Sequence, residues 1–277
     1  MKSLGFILLV ALAGFFLYDQ NKPEKIVVVE PTIEIPAPEP FRVLLVPGHD
    51  VKTGGTYYKG LYERDVAVTV AEKIAAELST TSYDVMIARN TEAWHPTLEK
   101  YFTDHEDEII AWKSDLQMKS KERLSSGEKK FVPDMADHSE VDKRTSVQLY
   151  GINKWANEND IDLVLHIHFN GSGDRSHTGF TVFIPESQHV NSTTSRAIAQ
   201  YIYDELKTTF TPESSLPLLE DQSLIALGAS DTLEKPAVLI EYAYIYETML
   251  QEPAQREKTL TDMAARTVAG ILAYRNE

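Results

Sequence analysis

The chain has 277 residues, of which 43% are hydrophobic and 25% charged, enough apolar material for one large folded domain with a core of its own. Its formal net charge of -15 argues against nucleic-acid binding and against a polybasic grip on anionic lipids. The absence of cysteine excludes disulfides, thiolate metal sites and a cysteine nucleophile, so any metal must be held by His, Asp, Glu or backbone oxygen.

At the start of the chain, Lys2 precedes an apolar run from Leu4 to Tyr18, the pattern of an export signal. The run is shorter than the ~20 apolar residues of a full membrane span. Cleavage at Ala11-Leu12-Ala13 would leave Gly14-Phe15-Phe16-Leu17 exposed, which favours a retained anchor over a removed signal. Residues 19–40 follow with Pro23, Pro31, Pro36, Pro38 and Pro40 among glutamates, a composition that favours an extended tether. Residues 1–18 therefore predict a signal or membrane anchor and 19–40 a linker. Together they imply an extracytoplasmic domain, held near the membrane through its N-terminal segment or secreted.

From residue 41 the pattern is that of an α/β domain. Val43 to Val46 reads as a buried strand closed by the turn Pro47-Gly48. Glu63 to Leu78 places Val66, Val70, Ile74 and Leu78 on one helical stripe. Asp84 to Ala88 predicts a second strand, and Arg144 to Asn157 a helix. Leu163 to Phe169 and Phe180 to Ile184 predict two more strands, and Ser195 to Leu206 a helix. Ala237 to Ile240 predicts a last strand and Leu260 to Tyr274 a last helix. Such alternation implies a mainly parallel twisted sheet with helices on both faces. Residues 91–143 break it. They are too long for a connection, and Glu106 to Leu124 carries Ile109, Trp112 and Leu116 at helical spacing. A helical insertion in a single domain spanning 41–277 is expected there, as a wall or lid of the site or as a surface decoration.

In open α/β sheets ligands bind beyond the carboxyl ends of the strands. His49 follows the first strand, His166 and His168 lie near the end of the third, and Glu241 follows the last apolar run. Glu63 opens the first helix, where the helix dipole alone would explain it. His49 alone could be a solvated turn residue, and either strand histidine could be a hydrogen-bonded core residue. A carboxylate next to a fully apolar strand is harder to dismiss, because it is costly unless paired or placed in a polar cleft. Imidazoles and a carboxylate together suit Zn2+ in a hydrolytic site, and a further carboxylate beside it would move the proton. Glu241 fits that second task. No nucleophile elbow, phosphate-cradling loop or His-Glu-x-x-His helix competes.

These motifs resemble the zinc-dependent N-acetylmuramoyl-L-alanine amidase family, with a catalytic domain of the amidase-3 type. The resemblance rests on Val46-Pro47-Gly48-His49, on Gly60-Leu61-Tyr62-Glu63, on Ile87-Ala88-Arg89, on Arg144, on His168-Phe169-Asn170, on Gly179 and on Pro236 to Glu241. It covers most of 41–277 apart from the insertion. It implies that His49, Glu63 and His168 hold Zn2+, that Glu241 is the catalytic glutamate, and that Asn170 meets the substrate. His166 is left as a supporting or fallback residue. The implied reaction is hydrolysis of the amide between N-acetylmuramic acid and L-alanine in peptidoglycan. A zinc carboxypeptidase-like enzyme acting within the stem peptide, or a non-catalytic wall-binding protein on the same fold, are the rival readings. Two features depart from the family pattern. The glycines that commonly follow the first His directly are displaced to Gly54-Gly55, and Tyr242-Ala243-Tyr244-Ile245-Tyr246 is unusually rich in tyrosine.

Overall fold

The computed structural model describes residues 39–50, 52–80, 82–133 and 141–276. The expected anchor, and the linker up to residue 38, lie outside them, as do Asp137 and His138 of the insertion. No helix among the described residues is long and apolar enough to cross a membrane.

The chain opens with strand β1 (Phe41–Pro47) and the two-residue strands β2 (Tyr57–Tyr58) and β3 (Leu61–Tyr62), which lead into α1 (Glu63–Leu78) and β4 (Tyr83–Ile87). Helices α2 (Pro96–Asp104), α3 (Glu106–Ser126) and α4 (Lys143–Glu158) follow, then β5 (Leu163–Asn170), β6 (Thr181–Pro185) and α5 (Ser192–Leu206). Strand β7 (Leu219–Asp221), two 3-10 turns at Ile225–Leu227 and Ala229–Asp231, β8 (Ala237–Tyr244), α6 (Thr248–Gln251) and α7 (Pro253–Arg275) complete it.

The sheet order is β4-β1-β5-β8-β6-β7. The β4-β1, β1-β5 and β5-β8 pairs are parallel, as the alternation of elements predicts. β6 instead runs antiparallel to β8 and takes β7 along as its parallel neighbour. β6 therefore enters the sheet at the end where β8 leaves it, and Thr181 stands directly across from Glu241.

Side chains of a strand alternate between the two faces, and each face has its own core. On one face Val43, Leu45, Leu165, Ile167, Val238 and Ile240 pack with Val70 and Ile74 of α1, Ile198 and Ile202 of α5, and Met263 and Ile271 of α7. On the other, Leu44, Val46, Val164 and Leu239 pack with Ile152 and Trp155 of α4 and with Leu98, Phe102 and Ile109 of the insertion. The insertion is therefore part of the second layer of the domain. Its helices are locally specified: His95 caps α2 through Nδ1, which accepts from Thr97 N at 3.3 Å, with Pro96 in the first turn, and α3 stops at Gly127 with φ 77°. Asp104 and His105, between α2 and α3, are solvent-accessible, with Asp104 paired to Lys100 and His105 to Glu108.

The far end of the insertion is anchored by charge. Lys129 is buried and its ammonium lies 3.2 Å from Asp231, which also receives Arg123 of α3 and His189 Nδ1 at 3.1 Å. The two ends of the domain also meet, since the Arg275 guanidinium of α7 lies 4.7 Å from the Phe41 ring centroid at the start of β1.

Candidate metal centre

The site forms beyond the carboxyl end of β1, where Pro47-Gly48 turns the chain into His49. His49 takes φ 61°, a left-handed conformation that costs a non-glycine residue of order 1 kcal/mol. Gly48 permits the crossing with β5, because a Cβ there would stand 2.3 Å from the His168 ring. Gly55, at φ 68°, does the same for the next pass of the chain: its Cβ would stand 2.5 Å from both Glu63 and His49. Of the two displaced glycines, Gly55 thus has a steric task.

Glu63, at the first position of α1, is buried, and both its oxygens are engaged. Oε1 lies 3.0 Å from His168 Nδ1 and accepts from Phe169 N at 3.2 Å. Oε2 lies 3.1 Å from His49 Nε2 and accepts from Thr56 N at 2.8 Å. Burial alone would raise its carboxyl pKa, but the bonds from His168 and His49 outweigh that and hold it far below the usual range. His168 is lowered by burial, with Glu63 opposing. One ligand atom from each of His49, Glu63 and His168 can be chosen so that all lie within 4.8 Å of one another. The donor set fits Zn2+ with an open position, since three N/O ligands from separate elements converge on one point.

Glu241 lies inside β8, where the sequence pattern had it just beyond the strand. Alternation carries it to the same face as Leu239, and the register sets it beside His168 on β5 and Thr181 on β6. Its Oε2 is buried without a hydrogen-bond partner. Burial, then the charges of Glu63 and Glu213, raise its pKa well above the ordinary carboxylate value. His166 points to the same face but sits deeper, 1% exposed, bonded to the Ala226 backbone, with its pKa pushed down to about 3 mainly by burial. It lies outside the His49, Glu63, His168 cluster. Asn170 accepts from Gly171 N at 2.9 Å and reaches the Tyr244 hydroxyl at 3.4 Å.

Residues whose part the sequence alone did not reveal support this core. The Arg89 guanidinium is buried and, among the described residues, bonds to backbone carbonyls: Pro47 at 3.1 Å, Gly48, Arg64 at 3.1 Å and Asn90 at 3.0 Å. Burial lowers its pKa to about 10, which leaves it cationic at neutral pH. Glu213 receives the Tyr244 hydroxyl at 2.5 Å and Thr181 Oγ1 at 3.1 Å, and lies 2.9 Å from His177 Nδ1. Asp50 pairs with Arg144 at 3.0 Å. Both of these residues border a polar cleft of about 270 Å3, shared with Arg89, Lys52 and Trp94 of the insertion's first segment. Residues at the start of the insertion thus line a cleft together with Asp50, the residue after His49.

Residues 43–273 match the family described as N-acetylmuramoyl-L-alanine amidase, of the amidase-3 type. No curated protein matches the chain. Among solved structures, the amidase AmiC2 of Nostoc punctiforme aligns with TM-score 0.54 at 16% identity, over 86% of this chain and 98% of its own. CwlD of Clostridioides difficile, solved with the GerS lipoprotein, aligns with TM-score 0.59 at 14% identity, over 85% and 98%. Ami1 of Mycobacterium smegmatis aligns with TM-score 0.56 at 17% identity, over 85% and 97%. At these identities the likeness establishes the fold.

Proposed function

The chain belongs to the N-acetylmuramoyl-L-alanine amidase family, and from that premise we propose that it is a zinc-dependent hydrolase of the amide bond between N-acetylmuramic acid and L-alanine in peptidoglycan. The observation that carries this reading is the convergence of His49, Glu63 and His168, with Glu241 and its buried, unpartnered Oε2 beside His168. His49, Glu63 and His168 would hold Zn2+. Bound there, the ion would acidify a water and polarise the amide carbonyl.

The rest falls to the chain itself. Glu241 takes a proton from the attacking water at Oε2 as the new C–O bond forms, and returns it to the nitrogen as the C–N bond breaks. Its position inside a strand fixes its carboxylate, and burial with the negative charges of Glu63 and Glu213 raises its pKa, which favours its holding a proton between the two transfers. Asn170 is a substrate contact: Oδ1 fixes the following loop through Gly171 N, and its amide is held only by the long contact to Tyr244. Residues 1–18 as anchor or signal, with 19–40 as tether, would bring the domain to the cell wall outside the cytoplasm.

The deciding experiment is mass spectrometry of peptidoglycan digested by the purified zinc-loaded chain. Release of intact stem peptides beginning with L-alanine is expected. Shortened stems still attached to sugar would instead identify a carboxypeptidase. Glu241→Gln should retain zinc and lose activity by roughly 100-fold or more.

A further inference from the structure

The segment that carries the chain from His49 to Glu63 forms a hairpin with an aromatic outer side. Tyr57 and Tyr62 are direct cross-strand partners. Their ring centroids are 4.5 Å apart with planes 41° from parallel, and they remain 55% and 38% exposed. The Arg64 guanidinium lies 4.7 Å from the Tyr62 ring.

The hairpin is fixed to the metal centre. Glu63 N donates to Thr56 O at 2.8 Å, and Thr56 N donates to Glu63 Oε2 at 2.8 Å. Gly54 and Gly55 form the wall between: a Cβ on Gly54 would stand 3.5 Å from the Tyr62 ring, and one on Gly55 would strike His49 and Glu63. Tyr58, the cross-strand partner of Leu61, belongs to the opposite face of the hairpin. Tyr58 packs against Tyr246 at 6.2 Å and carries the Arg175 and Lys59 cations at 4.9 and 5.2 Å. Tyr246 and its neighbour Tyr244 lie just past Glu241, in the tyrosine-rich stretch that departs from the family pattern.

We propose that Tyr57 and Tyr62 form a stacking platform for an amino-sugar ring of the glycan strand. The proposal rests on the amidase reading, which sets the substrate chemistry. On one side of the scissile amide is a lactyl-substituted sugar, and on the other a stem that begins with small and acidic residues. The sugar ring supplies a broad face of C–H bonds to lie on an aromatic ring. Exposed paired tyrosines beside a reaction centre mark an interaction surface. Arg64, whose guanidinium lies against the Tyr62 ring, brings hydrogen-bond donors for hydroxyl and acetamido oxygens to the same side.

The test titrates the zinc-loaded full chain with a β-1,4-linked tetramer of N-acetylglucosamine, which has no amide to a peptide, and follows tyrosine fluorescence and calorimetric heat. Wild type should bind, the Tyr57→Ala/Tyr62→Ala double variant should bind about tenfold or more weakly, and the double Phe variant should retain binding, because the ring is what stacks. On hydrolysis, the Ala pair should lose more kcat/KM on glycan-linked substrate than on a sugar-free lactoyl peptide. No tetramer binding by wild type, equal binding by the Ala pair, or equal losses on both substrates would overturn the platform. If the tetramer binds in a Tyr57- and Tyr62-dependent way while wild type releases no stem peptide, it is the amidase reading that fails.

Discussion

Arg89 donates a hydrogen bond to the carbonyl of Gly48, the residue immediately before His49. The same guanidinium nitrogen bonds the carbonyl of Arg64, the residue immediately after Glu63. One side chain thus clamps together the two segments that carry His49 and Glu63.

Arg89→Met is therefore expected to weaken zinc binding by about 10–100-fold, the usual scale for removing a support behind metal ligands. It also leaves buried carbonyls unpaired, a loss of roughly 2–4 kcal/mol of stability. Competition against a chromogenic chelator at a temperature where the variant is folded separates the two effects. Unchanged zinc affinity would contradict the clamp.

Gly55→Ala puts a methyl group against Glu63 and His49 and forces alanine to φ 68°. Zinc affinity should fall by about tenfold or more, with roughly 1–3 kcal/mol of lost stability. Gly60→Ala is the control: that glycine also has positive φ, 87°, but nothing lies within 4 Å of its Cβ. It should lose some stability while zinc affinity is nearly kept.

Glu241 is raised by burial first, then by Glu63 and Glu213. A proton acceptor works ionised, so kcat/KM should climb with pH through this raised value. A cation on Glu63 offsets that carboxylate and leaves Glu213 as the remaining negative neighbour. Glu213→Gln should move the acid limb of the pH profile to lower pH. A profile that does not move would remove Glu213 from the account.

At the opposite end of the sheet, burial alone would raise the Asp231 carboxyl, but His189 and Lys129 hold it at about 2 against an ordinary 3.8. A depressed carboxyl stabilises the fold above its unfolded value and loses that contribution as pH falls through its folded value. Acid titration should therefore remove up to about 2 kcal/mol between about pH 4 and pH 2. Asp231→Asn should flatten that part of the stability curve and lower stability at neutral pH by roughly 1–3 kcal/mol, measured by urea unfolding.

The contrast between Glu241 and Glu213 shows how far the sequence could be read. Glu241 interrupts an apolar strand, and a carboxylate in that setting needs an explanation before any coordinates exist. Glu213 lies in a polar loop and becomes notable only because Thr181 and Tyr244 bring it to Glu241. Strand periodicity located β6 to within a residue. Its reversed direction depends on how the preceding loop crosses the sheet, which hydropathy does not encode. The hairpin with Tyr57 and Tyr62 was equally hidden, because two-residue strands are too short to alternate. The choice of His168 over His166 needed the family resemblance. The fold adds a physical reason: both point the same way, but His166 is one strand step deeper, in the core against Ala226.

The contact of Arg275 with Phe41 brings both termini of the domain to one pole. β1 runs from that pole towards His49, so the cluster of His49, Glu63 and His168 occupies the other. A bead or carrier coupled at either terminus of 41–275 would hold the domain by its back, with the cluster facing outward. Such an immobilised domain should digest an insoluble polymer from the free side, whichever end is used for coupling.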